Sequence, residues 1–126
     1  MVDLKLLDTE KDLAQINSWA KERGMREFDP STIPDFALIA PGLAAGFLYK
    51  TDSTIAIIEG LITNPSANKL ERGRAIDDII KTLLDHAKEA GFKYVKGDTR
   101  IENISARARS FGFHDLGFFS LFGKAL

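Results

Sequence analysis

Hydrophobic and polar positions alternate at the start of this chain, shift to a helical period, then alternate again. Residues 2–7, Val-Asp-Leu-Lys-Leu-Leu, alternate well enough to predict a first strand. Thr9 followed by Asp12 predicts a helix start with an acidic first turn. Leu13, Ile16, Trp19 and Ala20 then recur at helical spacing, and Gly24 marks the stop. Trp19 lies on that apolar stripe, so it is expected to anchor the core. Asp29-Pro30 and Ile33-Pro34 make residues 25–35 a loop. Strands are predicted at 36–40, 44–49 and 54–63, turned at Pro41-Gly42 and Thr51-Asp52-Ser53 and ended by Pro65. Connections this short allow only an antiparallel meander.

The most regular segment is 75–90. Ile76, Ile79, Ile80, Leu83, Leu84 and Ala87 form one apolar stripe, and Gly91 stands at the C-cap. A short buried strand is predicted at 92–95. The path from the third meander strand through the helix is long enough for a right-handed crossover, which makes the two strands parallel neighbours. Asn103 is expected to cap a short helix ending at Ser110, with Ile104, Ala108 and Phe111 inward. Strands at 113–116 and 118–122 would complete the sheet. The expected architecture is a single α/β (α+β) domain over residues 1–126. Its sheet is mixed and mostly antiparallel, with about six or seven strands and helices on both faces, in the order β-α-β-β-β-α-β-α-β-β.

Composition narrows the function. The chain has 126 residues, which suits one core. Hydrophobic residues make up 44% and charged residues 28%, the balance of an ordinary globular protein. Lysine and arginine total 17 against 18 acids, so the field needed for general nucleic-acid binding is missing. The absence of cysteine excludes disulfides, thiolate nucleophiles and cysteine zinc sites, and it fits a reducing cytoplasm. Asp3, Lys5 and Asp8 interrupt what would be a signal-peptide core. No apolar run approaches the roughly 20 residues needed to cross a bilayer. A soluble cytoplasmic protein without a membrane partner is expected.

His86 and His114 are the only histidines and are far apart in sequence. His86 lies near a helix end, where a cation is favoured, so a structural role is expected and no metal site. Arg100, Arg107 and Arg109 cluster about the short late helix. They read either as a solvated face or as contacts for an anion. The run Phe118-Phe119-Ser120-Leu121-Phe122 is apolar enough to be partly core and partly a homo-oligomer interface.

Three segments resemble the GNAT acetyltransferase superfamily. Leu61-Ile62-Thr63-Asn64-Pro65 is similar to its proline-closed strand end. Glu71-Arg72-Gly73-Arg74-Ala75-Ile76 is similar to its arginine-glycine turn into the long helix. The stretch from Asn103 to Phe111-Gly112-Phe113 resembles its late helix, which begins with Asn and closes with Gly-Phe. Together they cover residues 54–122, while the first half matches in element order alone. The resemblance implies an acetyl-CoA cosubstrate, no metal, and transfer of an acetyl group to an amine. Backbone amides of the turn, with Arg72, Gly73, Arg74 and Ala75, would hold the pyrophosphate. Main-chain groups at Ile62 and Thr63 would bond the pantetheine arm where two strands part, with Gly60 forming the bulge that parts them. Asn103 would touch the same arm. Glu59, among Ile57, Ile58 and Leu61, would be the base that deprotonates the amine, or otherwise a strand glutamate facing solvent.

Two features depart from the family pattern. With Arg72 in the family's first basic position, the two small positions fall on Ala75 and Asp77, and Asp77 and Asp78 would repel a phosphate. In the alternative register Gly73 and Ala75 are the small pair, and Leu70 replaces the basic residue. The family's late-helix tyrosine acid is also missing, since Tyr49 and Tyr94 both lie on strands. These departures leave a second reading, a catalytically inactive binding or assembly module whose partner is a protein. The small size and altered loop also resemble GNAT-like proteins of bacteriophages, some of them virion-associated.

Overall fold

Strands in the middle of this chain are apolar on both sides because helices cover both faces of the sheet they form. The computed structural model describes residues 2–99, 102–117 and 120–126. One open sheet of five strands runs in chain order: β1 (Lys5–Leu6), β2 (Phe36–Ala40), β3 (Ala44–Lys50), β4 (Ile55–Thr63) and β5 (Tyr94–Gly97). The first four pair antiparallel, and β5 joins β4 in parallel after a crossover through a long helix. The helices are α1 (Leu13–Glu22), α2 (Lys69–Glu89) and α3 (Glu102–Ser110), with a 3-10 turn at Pro30–Thr32. The fold is mixed α+β.

Alternation along the strands divides the core in two. Leu38, Ala40, Leu48, Ala56 and Ile58 face α2, where Ile76, Ile79, Ile80 and Leu83 meet them, and Ile104 of α3 joins this layer. Ala37, Ile39, Ala45, Phe47 and Ile62 face α1 and pack on Ile16, Trp19 and Ala20. Trp19 is 3% exposed, so it is the core anchor its spacing predicts.

Several boundaries differ from those read in the sequence. β1 contracts to two residues at the sheet edge, since only these pair with β2. Helix α1 begins at Leu13 behind Asp12, not at Thr9. The Asp8 carboxylate accepts instead from the N–H groups of Glu10 and Lys11, forming a turn before the helix. Helix α2 begins at Lys69 rather than at 75, so the arginine-glycine segment is helix and not a turn. Asn68 makes this possible: its side chain accepts from the N–H groups of Leu70 and Glu71. β5 lies two residues later than expected. Asn103 lies inside α3 rather than before it.

The expected six or seven strands reduce to five among the described residues. Residues 113–117 and 120–126 form no strand, and Phe118 and Phe119 lie outside the described residues. Leu116, Leu121 and Phe122 are exposed. Apolar composition predicted a strand there, but a strand also needs a ladder partner, and none pairs with this segment.

Candidate active site

The site starts from a defect in the sheet. Opposite Gly46, β4 spends two residues, Gly60 and Leu61, while Ala45 still pairs with Ile62 and Phe47 with Glu59. This is the bulge expected at Gly60, whose φ is +67°. A Cβ at this position would run into the Phe47 ring. On its other side β4 pairs with β5 only as far as Ile58 and Gly97. β5 ends at that pair while β4 runs on, so among the described residues positions 59–63 have no ladder partner on β5.

A cleft of about 540 Å³ opens at the end of β4. Thr63 ends β4 there, Lys69, Arg72, Gly73 and Ile76 come from α2, and Asn103, Ile104 and Arg107 come from α3, with Arg23 reaching in from the end of α1. The Arg23 guanidinium donates from Nε to the Thr63 carbonyl at 3.1 Å and from Nη2 to its hydroxyl at 2.5 Å. Arg72 donates from Nη1 to the carbonyls of Asn64 and Pro65, at 3.2 and 2.8 Å. The two arginines thus hold the strand end and its proline from neighbouring positions.

Residues expected at the site divide into two groups. Thr63, Arg72, Gly73 and Asn103 line the cleft, whereas Arg74 and Ala75 do not. Arg74 is exposed and Ala75 is buried against the sheet. The Ile62 side chain is buried on the α1 face, so only its main chain could serve a ligand. Gly73 and Ala75 both turn inward while Leu70 is 61% exposed, the pattern of the alternative register. The Arg107 guanidinium lies over Gly73, where a Cβ would stand.

The acids that threatened phosphate binding are engaged elsewhere. Asp77 takes a 2.7 Å ion pair with Arg107, and Asp78 accepts from the Val2 N–H at 2.9 Å. Neither lines the cleft. The amide groups at the start of α2 are also occupied. Asn68 bonds those of Leu70 and Glu71 through its side chain and that of Arg72 through its carbonyl.

Glu59 sits on β4 one residue past the last β4–β5 pair and does not line the cleft. Asp98, the residue after the last paired position of β5, is near enough for its charge to act on Glu59. Glu59 is exposed on β4, as a strand glutamate facing solvent would be, but partial desolvation of its carboxyl raises its pKa above the ordinary carboxylate range, and the Asp98 charge adds to this. Thr63 lies four positions beyond Glu59, about 13 Å of strand before the bulge shortens it. Tyr49 lies near Glu59 but donates its hydroxyl to the Thr32 carbonyl, and Tyr94 is half exposed on β5. No tyrosine stands on α3.

His86 stacks on Phe36 with ring centroids 3.7 Å apart and planes 3° from parallel. Its Nε2 is buried without a hydrogen-bond partner. Burial lowers its pKa, the Lys50 charge lowers it further, and Glu89 opposes both. Among the described residues no group of three or more histidines and acids could hold a metal ion. No helix among them is long and apolar enough to cross a membrane.

Arg23, Lys69 and Asn68 escape a sequence reading of the site. Arg23 looks there like a basic residue ending a helix, and only the packing of α1 under β4 brings it to the cleft.

Solved structures share this architecture. A probable acetyltransferase from meticillin-resistant Staphylococcus aureus matches with a TM-score of 0.74 at 14% identity, over 99% of this chain and 100% of that one. A Mycobacterium tuberculosis protein in complex with CoA matches with a TM-score of 0.66 at 18% identity, over 85% of this chain and 70% of that one. Glucosamine-6-phosphate N-acetyltransferase from Arabidopsis thaliana matches with a TM-score of 0.66 at 13% identity, over 96% and 97% of the two chains. No family model and no curated protein sequence matches. The chain has the GNAT acetyltransferase fold.

Proposed function

We propose that this protein is an N-acetyltransferase that takes its acetyl group from acetyl-CoA and passes it to an amine. The observation that carries the reading is that β4 runs on past its last pair with β5, from a raised-pKa carboxylate to a cationic cleft at the strand's end. An extended ligand with an anionic head and a reactive tip fits that polarity. Thr63, Arg72 and Asn103 would hold the head and the upper arm, and the main chain of residues 59–62, on the side away from β3, would bond the arm. The cosubstrate supplies an activated thioester. Glu59 takes a proton from the acceptor ammonium, leaving the lone pair free to attack. Its raised pKa brings the carboxylate closer to the amine in proton affinity. With no tyrosine on α3, the leaving thiolate takes its proton from solvent.

Calorimetry with acetyl-CoA, followed by a thiol-release assay against a panel of amines, tests this reading. The absence of cysteine leaves no protein thiol to obscure the second assay. Binding in the micromolar range is expected, and no heat at millimolar acetyl-CoA would sink the proposal. A second reading, an inactive binding module, is favoured by the Asn68 bonds that occupy the α2 amides. It predicts no thiol release with any amine.

A further inference from the structure

The cleft carries more positive charge than its own contacts neutralise. Arg23, Lys69, Arg72 and Arg107 line it, and among the described residues no carboxylate does. Arg107 is paired with Asp77. Arg23 and Arg72 make their hydrogen bonds to carbonyls and a hydroxyl, neutral acceptors that do not pair with either charge. They are held close enough to oppose one another: burial lowers the Arg23 pKa, the Arg72 charge lowers it further, and only Glu22 opposes this. Each guanidinium still has three of its five N–H donors available. Two like charges fixed side by side, with donors to spare and no acid between them, form a place for an anion.

The start of α2 is a poor alternative. An anion docking on its amides would have to displace Asn68 from Leu70 and Glu71, and would meet the Glu71 carboxylate in the first turn.

We propose that Arg23 is a phosphate-binding residue, and that Arg23 and Arg72 together clamp the diphosphate of the ligand at the end of β4. Side chains drawn from two helices replace the helix-terminal amides in this role. Naming that ligand as acetyl-CoA rests on the acetyltransferase reading, but the clamp does not, because inorganic pyrophosphate can probe it alone.

The experiment is calorimetry of the full chain with inorganic pyrophosphate and, separately, with acetyl-CoA. Losing one charge-assisted contact should weaken both ligands roughly tenfold or more in Arg23→Gln, and Arg23→Lys should recover part of the loss. Glu22→Gln changes an exposed side chain and leaves the Arg23 bonds to Thr63 in place. It should tighten pyrophosphate about threefold by removing the opposing charge. Tightening in Glu22→Gln keeps the test valid even where Arg23→Gln does not fold. Unchanged affinities in a folded Arg23→Gln overturn the clamp while leaving acetyl-CoA binding intact. If the wild type binds pyrophosphate but not acetyl-CoA, the clamp stands and the acetyltransferase reading falls. If it binds neither, both fall.

Discussion

Replacing Gly60 with alanine should cost about 2 kcal/mol more than replacing Gly24, although both glycines have a φ of +67°. The shared backbone twist disfavours any Cβ by about 1–2 kcal/mol, and in both variants alanine stiffens the unfolded chain by about 0.4–1 kcal/mol. These terms cancel in the comparison. The surroundings do not, since a Cβ at Gly24 meets open space while one at Gly60 meets the Phe47 ring. Phe47 is fully buried and stands edge-on to Phe28, with centroids 5.3 Å apart. It can yield only by disturbing that packing or by straightening the bulge, and overpacking of this kind costs about 1–3 kcal/mol. Urea unfolding of both variants measures the difference. With a slope of about 2 kcal/mol per molar, the Gly60→Ala midpoint should fall about 1 M below that of Gly24→Ala. Midpoints that coincide within about 0.3 M, with unchanged slopes, would refute the claim that Phe47 fixes the bulge. Gly60→Ala should also weaken acetyl-CoA, because the bulge sets the path of β4 towards the cleft.

Glu59→Gln should lower turnover about a hundredfold with little change in acetyl-CoA affinity, and should remove the rising limb of the pH–kcat/KM profile. In the wild type that limb should lie above the ordinary carboxylate range, because burial and Asp98 raise the pKa of Glu59. A folded Glu59→Gln with wild-type turnover removes Glu59 from the mechanism. His86 binds its proton more weakly in the folded state than in the unfolded chain, so stability should fall as pH drops through the unfolded histidine value, about 6.5, towards the lower folded one. The urea midpoint between pH 8 and pH 5 should therefore drop further for the wild type than for His86→Phe, and equal drops would exclude this origin. Asn68→Ala, which removes two cap bonds at the start of α2, should cost about 1 kcal/mol in the same unfolding assay. An unchanged midpoint would mean that those amides are satisfied in other ways.

Periodicity made much of the fold legible. The α1 and α2 stripes, the three meander strands and the crossover after them follow from spacing and connection length, and Trp19 lies where its stripe predicts. The boundaries were less legible. Helix α2 starts six residues before its apolar stripe becomes regular, because Asn68 caps a first turn that faces the cleft and so carries Lys69, Glu71 and Arg72. The closing strands were read from the apolarity of the last fifteen residues or so, but hydrophobicity alone does not supply a partner edge.

The candidate site shows the same division. Its main parts could be named from residue type and order: Glu59 beside a bulge-forming glycine, a strand closed by proline, and an arginine-glycine segment leading into the long helix. Their electrostatics could not. Asp77 and Asp78 look repulsive in a linear reading, and the fold pairs one with Arg107 and the other with the Val2 amide. Arg23 looks like a helix-end cation, and the fold carries it beside Arg72, forty-nine positions away in the chain. Hydrophobic periodicity acts within a few residues, so the sequence alone determined the elements and their faces. Charge compensation depends on distance in space, so only the tertiary structure decided which charges are neutralised and which remain for a ligand.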